Sequence, residues 1–244
     1  MGPALLHSQG KLVKGVQFRN DRVVGTLEQG IRVQNARNVD EVCLIDVSPD
    51  EGSRAASLTK AVSSVSRYLR VPLLAGGGIK SIREIDDLFR VGADRVLLGR
   101  KAISAGLAGP AAAKYGRQSI VACVEIGFAS RKVVIKNQWV ELQHLVAIDY
   151  IDWLFEQGCG EVLIINPELD GTREGVQSDL LLEIASSCHF PIAYQGGVRD
   201  PSDATWLARA GFSSIFSGAL FQFSRFTPND LKRALKEMGF TVRI

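Results

Sequence analysis

Short apolar, β-branched runs recur along the chain at residues 42–47, 71–75, 95–99, 119–125, 162–166, 191–194 and 214–217. Runs of this length and composition predict strands buried on both faces. Between them lie stretches with helical spacing of apolar positions, at 54–69, 82–91, 140–157, 179–187, 201–210 and 228–238. Regular alternation of the two predicts a parallel sheet covered by helices. A first strand near residues 4–6 brings the strand count to eight, and Gly10 with the charged segment after it predicts a hairpin-like loop inside that first unit. The polar stretch 127–139 predicts a loop or small hairpin after the fifth strand.

An internal repeat turns the open pattern into a closed one. Pro72, Gly77, Gly78, Arg90, Gly92 and Gly99 recur as Pro191, Gly196, Gly197, Arg209, Gly211 and Gly218, each 119 positions later. One offset kept over six positions predicts a single (β/α)8 barrel, a TIM barrel, built from two half-barrels of about residues 1–117 and 118–244.

Composition fits one such domain: 244 residues with 46% apolar content bury a large core. The formal net charge of +3 has no basic block behind it, so nucleic acid is not implied as a partner. Cys43, Cys123, Cys159 and Cys188 lack metal-ligand spacing and are expected to be buried thiols, and no metal site or cofactor is implied. The chain shows neither a long apolar run nor a charged-then-apolar leader pattern, so a cytoplasmic protein without a membrane partner is expected.

In barrels of this kind the strand C-terminal ends carry the chemistry. Gly77-Gly78 and Gly196-Gly197 sit at such ends, where glycines let backbone N–H groups approach an anion, although a tight turn alone also explains either pair. Gly99-Arg100 and Gly218-Ala219 end the following strands, and Asp170-Gly171-Thr172 forms a further polar turn able to hold phosphate. Asp46 and Glu125 close otherwise apolar strands. Glu125 is the candidate acid or base, and Asp46 a ligand contact or loop anchor. The histidines are scattered: His7 lies near the mouth, while His144 is expected at the surface and His189 has no assigned role.

Leu12-Val13-Lys14-Gly15, Asp40-Glu41-Val42, Leu44-Ile45-Asp46, Gly76-Gly77-Gly78-Ile79, Gly92-Ala93-Asp94-Arg95-Val96, Asp170-Gly171-Thr172 and Gly196-Gly197, in that order, resemble the cyclase (synthase) subunit of imidazole glycerol phosphate synthase over nearly the whole chain. The resemblance implies a barrel partnered by a glutaminase, whose ammonia passes through the barrel to a bis-phosphorylated nucleotide. It places Glu41, Arg95 and Glu161 in an ammonia gate at the N-terminal end of the barrel, with Asp94 facing the partner. It also marks departures. The family's two acid/base aspartates fall at Leu6 and Glu125, and Gly99-Arg100-Lys101 replaces small polar residues of the first phosphate site. Those cations suggest either an anionic ligand of different shape or a salt-bridged loop. The second site, with Asp170, Gly171, Thr172, Gly197, Gly218 and Ala219, stays nearer the family form.

The Leu5-Leu6 start and the Gly10-Lys11-Leu12-Val13-Lys14 segment are similar to a branch of this family in surface-polysaccharide pathways, and that resemblance implies an ammonia-accepting or ammonia-channelling subunit of a glutamine amidotransferase, serving amidination of a surface-polysaccharide sugar. Its expected partners are a glutaminase subunit, a phosphorylated small molecule or nucleotide-sugar, and a separate amidotransferase enzyme. Two alternatives stand beside it: a divergent histidine-pathway cyclase, and a non-catalytic scaffold that binds a phosphorylated metabolite. Glutaminase activity of this chain itself is excluded, because no cysteine sits in a nucleophile elbow with a histidine partner.

Overall fold

The computed structural model describes residues 1–135, 138–141 and 144–243, without the side chains of Asn20, His144 and Leu145. The chain opens with β1 (Gly2–Ser8), folds back through the antiparallel strands β2 (Lys11–Val16) and β3 (Arg19–Thr26), and enters α1 (Leu27–Ala36). Next come β4 (Val42–Asp46), α2 (Arg54–Val65), β5 (Leu73–Gly76), α3 (Ile82–Arg90) and β6 (Arg95–Leu98), then the short α4 (Arg100–Ser104) and α5 (Ala108–Tyr115). After β7 (Ile120–Gly127) a second hairpin, β8 (Lys132–Ile135) and β9 (Gln138–Glu141), precedes α6 (His144–Glu156). The remainder alternates through β10 (Glu161–Ile165), α7 (Asp179–Ser187), β11 (Ile192–Gln195), α8 (Pro201–Ala210) and β12 (Ser214–Ser217), and finishes with α9 (Ala219–Phe223) and α10 (Pro228–Glu237).

Eight of these strands pair in parallel in the order β1-β4-β5-β6-β7-β10-β11-β12, and β12 returns to β1. The sheet closes on itself, so the (β/α)8 barrel expected from the alternation is the architecture. Side chains alternate along each strand. Leu5, Val42, Leu44, Val96 and Leu98 point outward into one large apolar layer beneath the helices. Ala4, Cys43, Leu74, Leu97, Val121 and Leu163 fill the interior as a separate apolar cluster.

Local signals set the helix ends. The Ser81 hydroxyl accepts from the Glu84 N–H while the Glu84 carboxylate accepts from the Ser81 N–H, a reciprocal cap that starts α3. Asp200 caps α8 in front of Pro201, and Gly211 ends it in the left-handed conformation. The helix expected at 140–157 is a correction: Val140 and Glu141 belong to β9, where Val140 pairs with Val133, and the helix begins only at His144. Expectation also passed over α1 and α5. Among the described residues no helix is long and apolar enough to cross a membrane.

Candidate functional site

The mouth of the barrel is shaped first by its two glycine turns. Gly77 and Gly196 have φ of 114° and 122°, and Gly78 and Gly197 have φ of 73° and 76°. These angles are open to glycine and strained for other residues. Space imposes the same choice: a Cβ on Gly77 would stand 2.3 Å from the Asp46 carbonyl oxygen, and one on Gly196 would stand 2.7 Å from that of Asn166. Each turn therefore lies hard against the end of the preceding barrel strand.

The spaces beside the turns differ greatly. The first turn opens onto a cavity of about 370 Å³ whose lining includes Leu6, Asp46, Gly77, Gly78, Arg100 and Glu125. Four cations, Arg54, Lys80, Arg100 and Lys101, reach its wall, and so do Asp21 and Glu51. The second turn borders only about 10 Å³, between Asp170, Gly171, Gly196, Gly197, Gly218 and Ala219. Thr172 lies outside that lining. Its hydroxyl donates to the Leu169 carbonyl at 3.0 Å and accepts from the Glu174 N–H at 3.3 Å, closing its own turn.

Four side-chain arrangements define the chemistry available here. Leu6 is 9% exposed and presents an apolar wall. Beside it His7 and Asp46 form a buried pair, with Nδ1 and Oδ2 2.9 Å apart. Gly10 N–H donates to His7 Nε2 at 2.9 Å, which assigns the ring proton to Nδ1 and makes the imidazole a donor to Asp46. Burial pushes the Asp46 carboxyl up, but hydrogen bonds from His7 and Ser48 hold it below the ordinary carboxylate value. Asp46 thus anchors the end of β4 while facing the cavity.

Glu125 is largely buried and has a cationic neighbour, Arg100, whose Nε lies 3.6 Å from Glu125 Oε1. Burial raises the Glu125 pKa and Arg100 opposes that rise. The carboxyl lines the first cavity together with Leu6, which supplies no second carboxylate there. Lys14, in β2, donates to Asp170 at 2.7 Å in a buried ion pair, and Gln17 N–H donates to the Asp170 carbonyl at 2.8 Å, so the first hairpin is docked on the Asp170 turn.

Gln195 was not singled out in the sequence. It ends β11, is buried, lines both cavities, and its side-chain Oε1 has no hydrogen-bond partner among the described residues. Its alternation inward from Ala193 is the signal that places it at the interior mouth. Lys14 and Arg173 were likewise missed as site residues; Arg173 lines the second cavity and donates to the Phe223 carbonyl at 3.0 Å.

The opposite end of the barrel carries a closed charged floor. Arg95, at the start of β6, donates to Glu41 Oε1 at 2.9 Å and to Glu161, while Glu161 Oε1 accepts from Ser213 at 3.0 Å. Burial pushes the Glu41 carboxyl up against the opposing pull of Arg95. The Arg95 guanidinium, despite its burial, is held above its ordinary value by the two carboxylates. Asp94 is exposed and accepts from Leu73 N–H at 2.8 Å. All four cysteines are free; burial raises the Cys43 and Cys123 thiols well above the ordinary range and pushes Cys159 up to about 12. The surface expectation for His144 lies outside the described side chains.

The family model described as histidine biosynthesis protein matches residues 1–227 of this chain. Among curated relatives, the chain is 31% identical to the imidazole glycerol phosphate synthase subunit HisF of Dictyoglomus turgidum, over 96% of this chain and 94% of the relative. It is 29% identical to the subunit of that name from Chlorobium phaeobacteroides, over 99% and 97%. A Campylobacter jejuni protein named "Putative imidazole glycerol phosphate synthase subunit hisF2" is 28% identical over 99% of this chain and 97% of its own length.

Proposed function

The chain belongs to the histidine biosynthesis protein family, as a member of its cyclase-subunit branch, and from that premise we propose that it is the synthase subunit of a glutamine amidotransferase serving a different acceptor. In this reading a glutaminase docks on the charged floor, with Glu41, Arg95 and Glu161 as the gate and Asp94 at the interface. Ammonia then passes through the apolar interior, past Cys43, Leu74 and Leu97, to the mouth. An uncharged NH3 crosses such a lining without the desolvation cost that ammonium would meet.

The observation that carries the proposal is Leu6. A leucine side chain transfers no proton, and loss of one positioned acid or base costs on the order of 10²–10⁴ in rate. Glu125, one methylene longer than aspartate, is the remaining acid/base group. The recharged first cavity supports a phosphorylated acceptor of altered shape, held by Gly77, Gly78 and Arg100. Asp170, Gly171, Thr172, Gly196, Gly197, Gly218 and Ala219 form a second phosphate turn in the same reading, with each turn belonging to one of two half-barrels. The acceptor class is a sugar of a surface polysaccharide whose acetamido group becomes an acetamidino group, with a separate amidotransferase as a third component.

The test is the partnership. Purified protein added to its cognate glutaminase is expected to stimulate glutamine hydrolysis at least tenfold, a barrier lowered by about 1.4 kcal/mol. A glutaminase indifferent to the barrel supports the scaffold alternative and contradicts the proposal.

A further inference from the structure

Arg100 is the loosely held cation of the first cavity. Its Nε stands 3.6 Å from Glu125 Oε1, beyond the roughly 2.7–2.9 Å of a charge-assisted hydrogen bond. Its side chain is 41% exposed against 17% for Glu125. The other cations on the cavity wall are already engaged: Lys101 on the Glu51 carboxylate, Lys80 on the Glu51 carbonyl at 3.0 Å, and Arg54 on the Ser48 carbonyl. An oxyanion entering the cavity therefore meets one guanidinium whose only partner among the described residues is a distant carboxylate, and whose fork geometry suits two oxygens at once.

We propose that Arg100 is a positioning residue that exchanges partners: a ligand's phosphate-type oxyanion draws it off Glu125, and the freed carboxyl takes a proton from solvent water and becomes the acid of the mouth. The inference rests on the reading that the first cavity receives a phosphate group. The surroundings of Glu125 make the exchange consequential. Ile165 pairs beside it on β10, and Leu6 and Leu97 add apolar wall from β1 and β6. Asp46, with His7 behind it, comes from β4; Asp21 follows from β3 and Gln195 from β11; Cys123 lies on its own strand; and Lys101, on α4, is turned to Glu51. Among the described residues Arg100 is the one cation opposing burial at Glu125, so its departure leaves burial and a new negative charge acting in the same direction. Proton uptake is then coupled to ligand docking, and by linkage protonation tightens docking by the same factor.

Sulfate is the probe, because it does not titrate in the range used. In calorimetric titrations at constant ionic strength, sulfate is expected to bind roughly three- to tenfold more tightly at about pH 5.5 than at about pH 7.5, with a buffer-dependent heat that reports proton uptake. Glu125→Gln should still bind sulfate but lose that pH dependence. Arg100→Met should lose most of the sulfate affinity and move the Glu125 carboxyl titration, read by carbon NMR, upward. Sulfate bound with the same pH dependence in the wild type and Glu125→Gln overturns the exchange alone, as does an unmoved Glu125 titration in Arg100→Met. Failure of the folded wild type to bind sulfate at all overturns the phosphate-cavity reading together with the exchange.

Discussion

At the scale of single residues, the mouth is a set of buried polar groups whose states are fixed by immediate partners. Asp46 is the clearest. Its carboxylate accepts from His7 Nδ1 and from Ser48 N–H at 2.8 Å, which holds its folded pKa below the ordinary value. A carboxylate depressed in the folded state contributes stability above its unfolded pKa, and that contribution is lost as pH falls through the folded pKa. Asp46→Asn keeps one acceptor oxygen, turns an NH2 toward the other donor and loses the charge, so it should cost about 1–3 kcal/mol near neutrality. The difference from wild type should shrink on acidification below about pH 4. Urea unfolding across pH measures it, and a difference that does not change with pH would show that the charge is irrelevant to the anchor. None of this pairing was legible in the sequence: His7 and Asp46 are 39 positions apart, and Lys14 and Asp170 are 156 apart. Residue type marks a carboxylate at a strand end, whereas register across neighbouring strands decides what it meets.

At the scale of elements, the glycine turns were legible because their constraint is local. Backbone angle and lack of space both exclude a side chain, and both leave glycine in the sequence. Gly77→Ala should therefore cost about 3 kcal/mol or more, from strain at φ of 114° combined with the approach to the Asp46 carbonyl. Gly196→Ala, in the matching place, should behave alike. Thermal unfolding of both variants checks this; a loss under about 1 kcal/mol in either would mean that the strand end yields easily. Strands were equally legible, since burial on both faces leaves uninterrupted apolar runs. Helices were less so. Among α1 residues only Leu27, Ile31 and Gln34 are buried, leaving a thin apolar stripe in a polar sequence. The start of α5 is obscured by Gly109 and Pro110, residues that signal a break when no partner surface is in view. Before α6, the strand pairing of Val140 with Val133 claims residues whose apolar spacing also suits a helix.

At the scale of the molecule, closure of eight strands separates the barrel into a charged floor, an apolar interior and a polar mouth. At the floor, Glu41 and Glu161, which the resemblance assigns to the ammonia gate, are bridged by Arg95, the third residue of that set. The mouth departs from that pattern at Leu6, Glu125 and Arg100. The two mouth cavities differ in size, about 370 Å³ beside the first glycine turn and about 10 Å³ beside the second. The Asp170 turn, onto which Lys14 and Gln17 dock the first hairpin, borders the smaller cavity. In the proposed function the molecule keeps nitrogen delivery from a glutaminase while its mouth serves another acceptor. The most direct test is turnover of the histidine-pathway bis-phosphorylated nucleotide with ammonium as nitrogen source, run beside a HisF relative under the same conditions. This chain is expected to turn the nucleotide over more slowly than the relative, by a factor on the order of 10²–10⁴. A rate within a few-fold of the relative would contradict it.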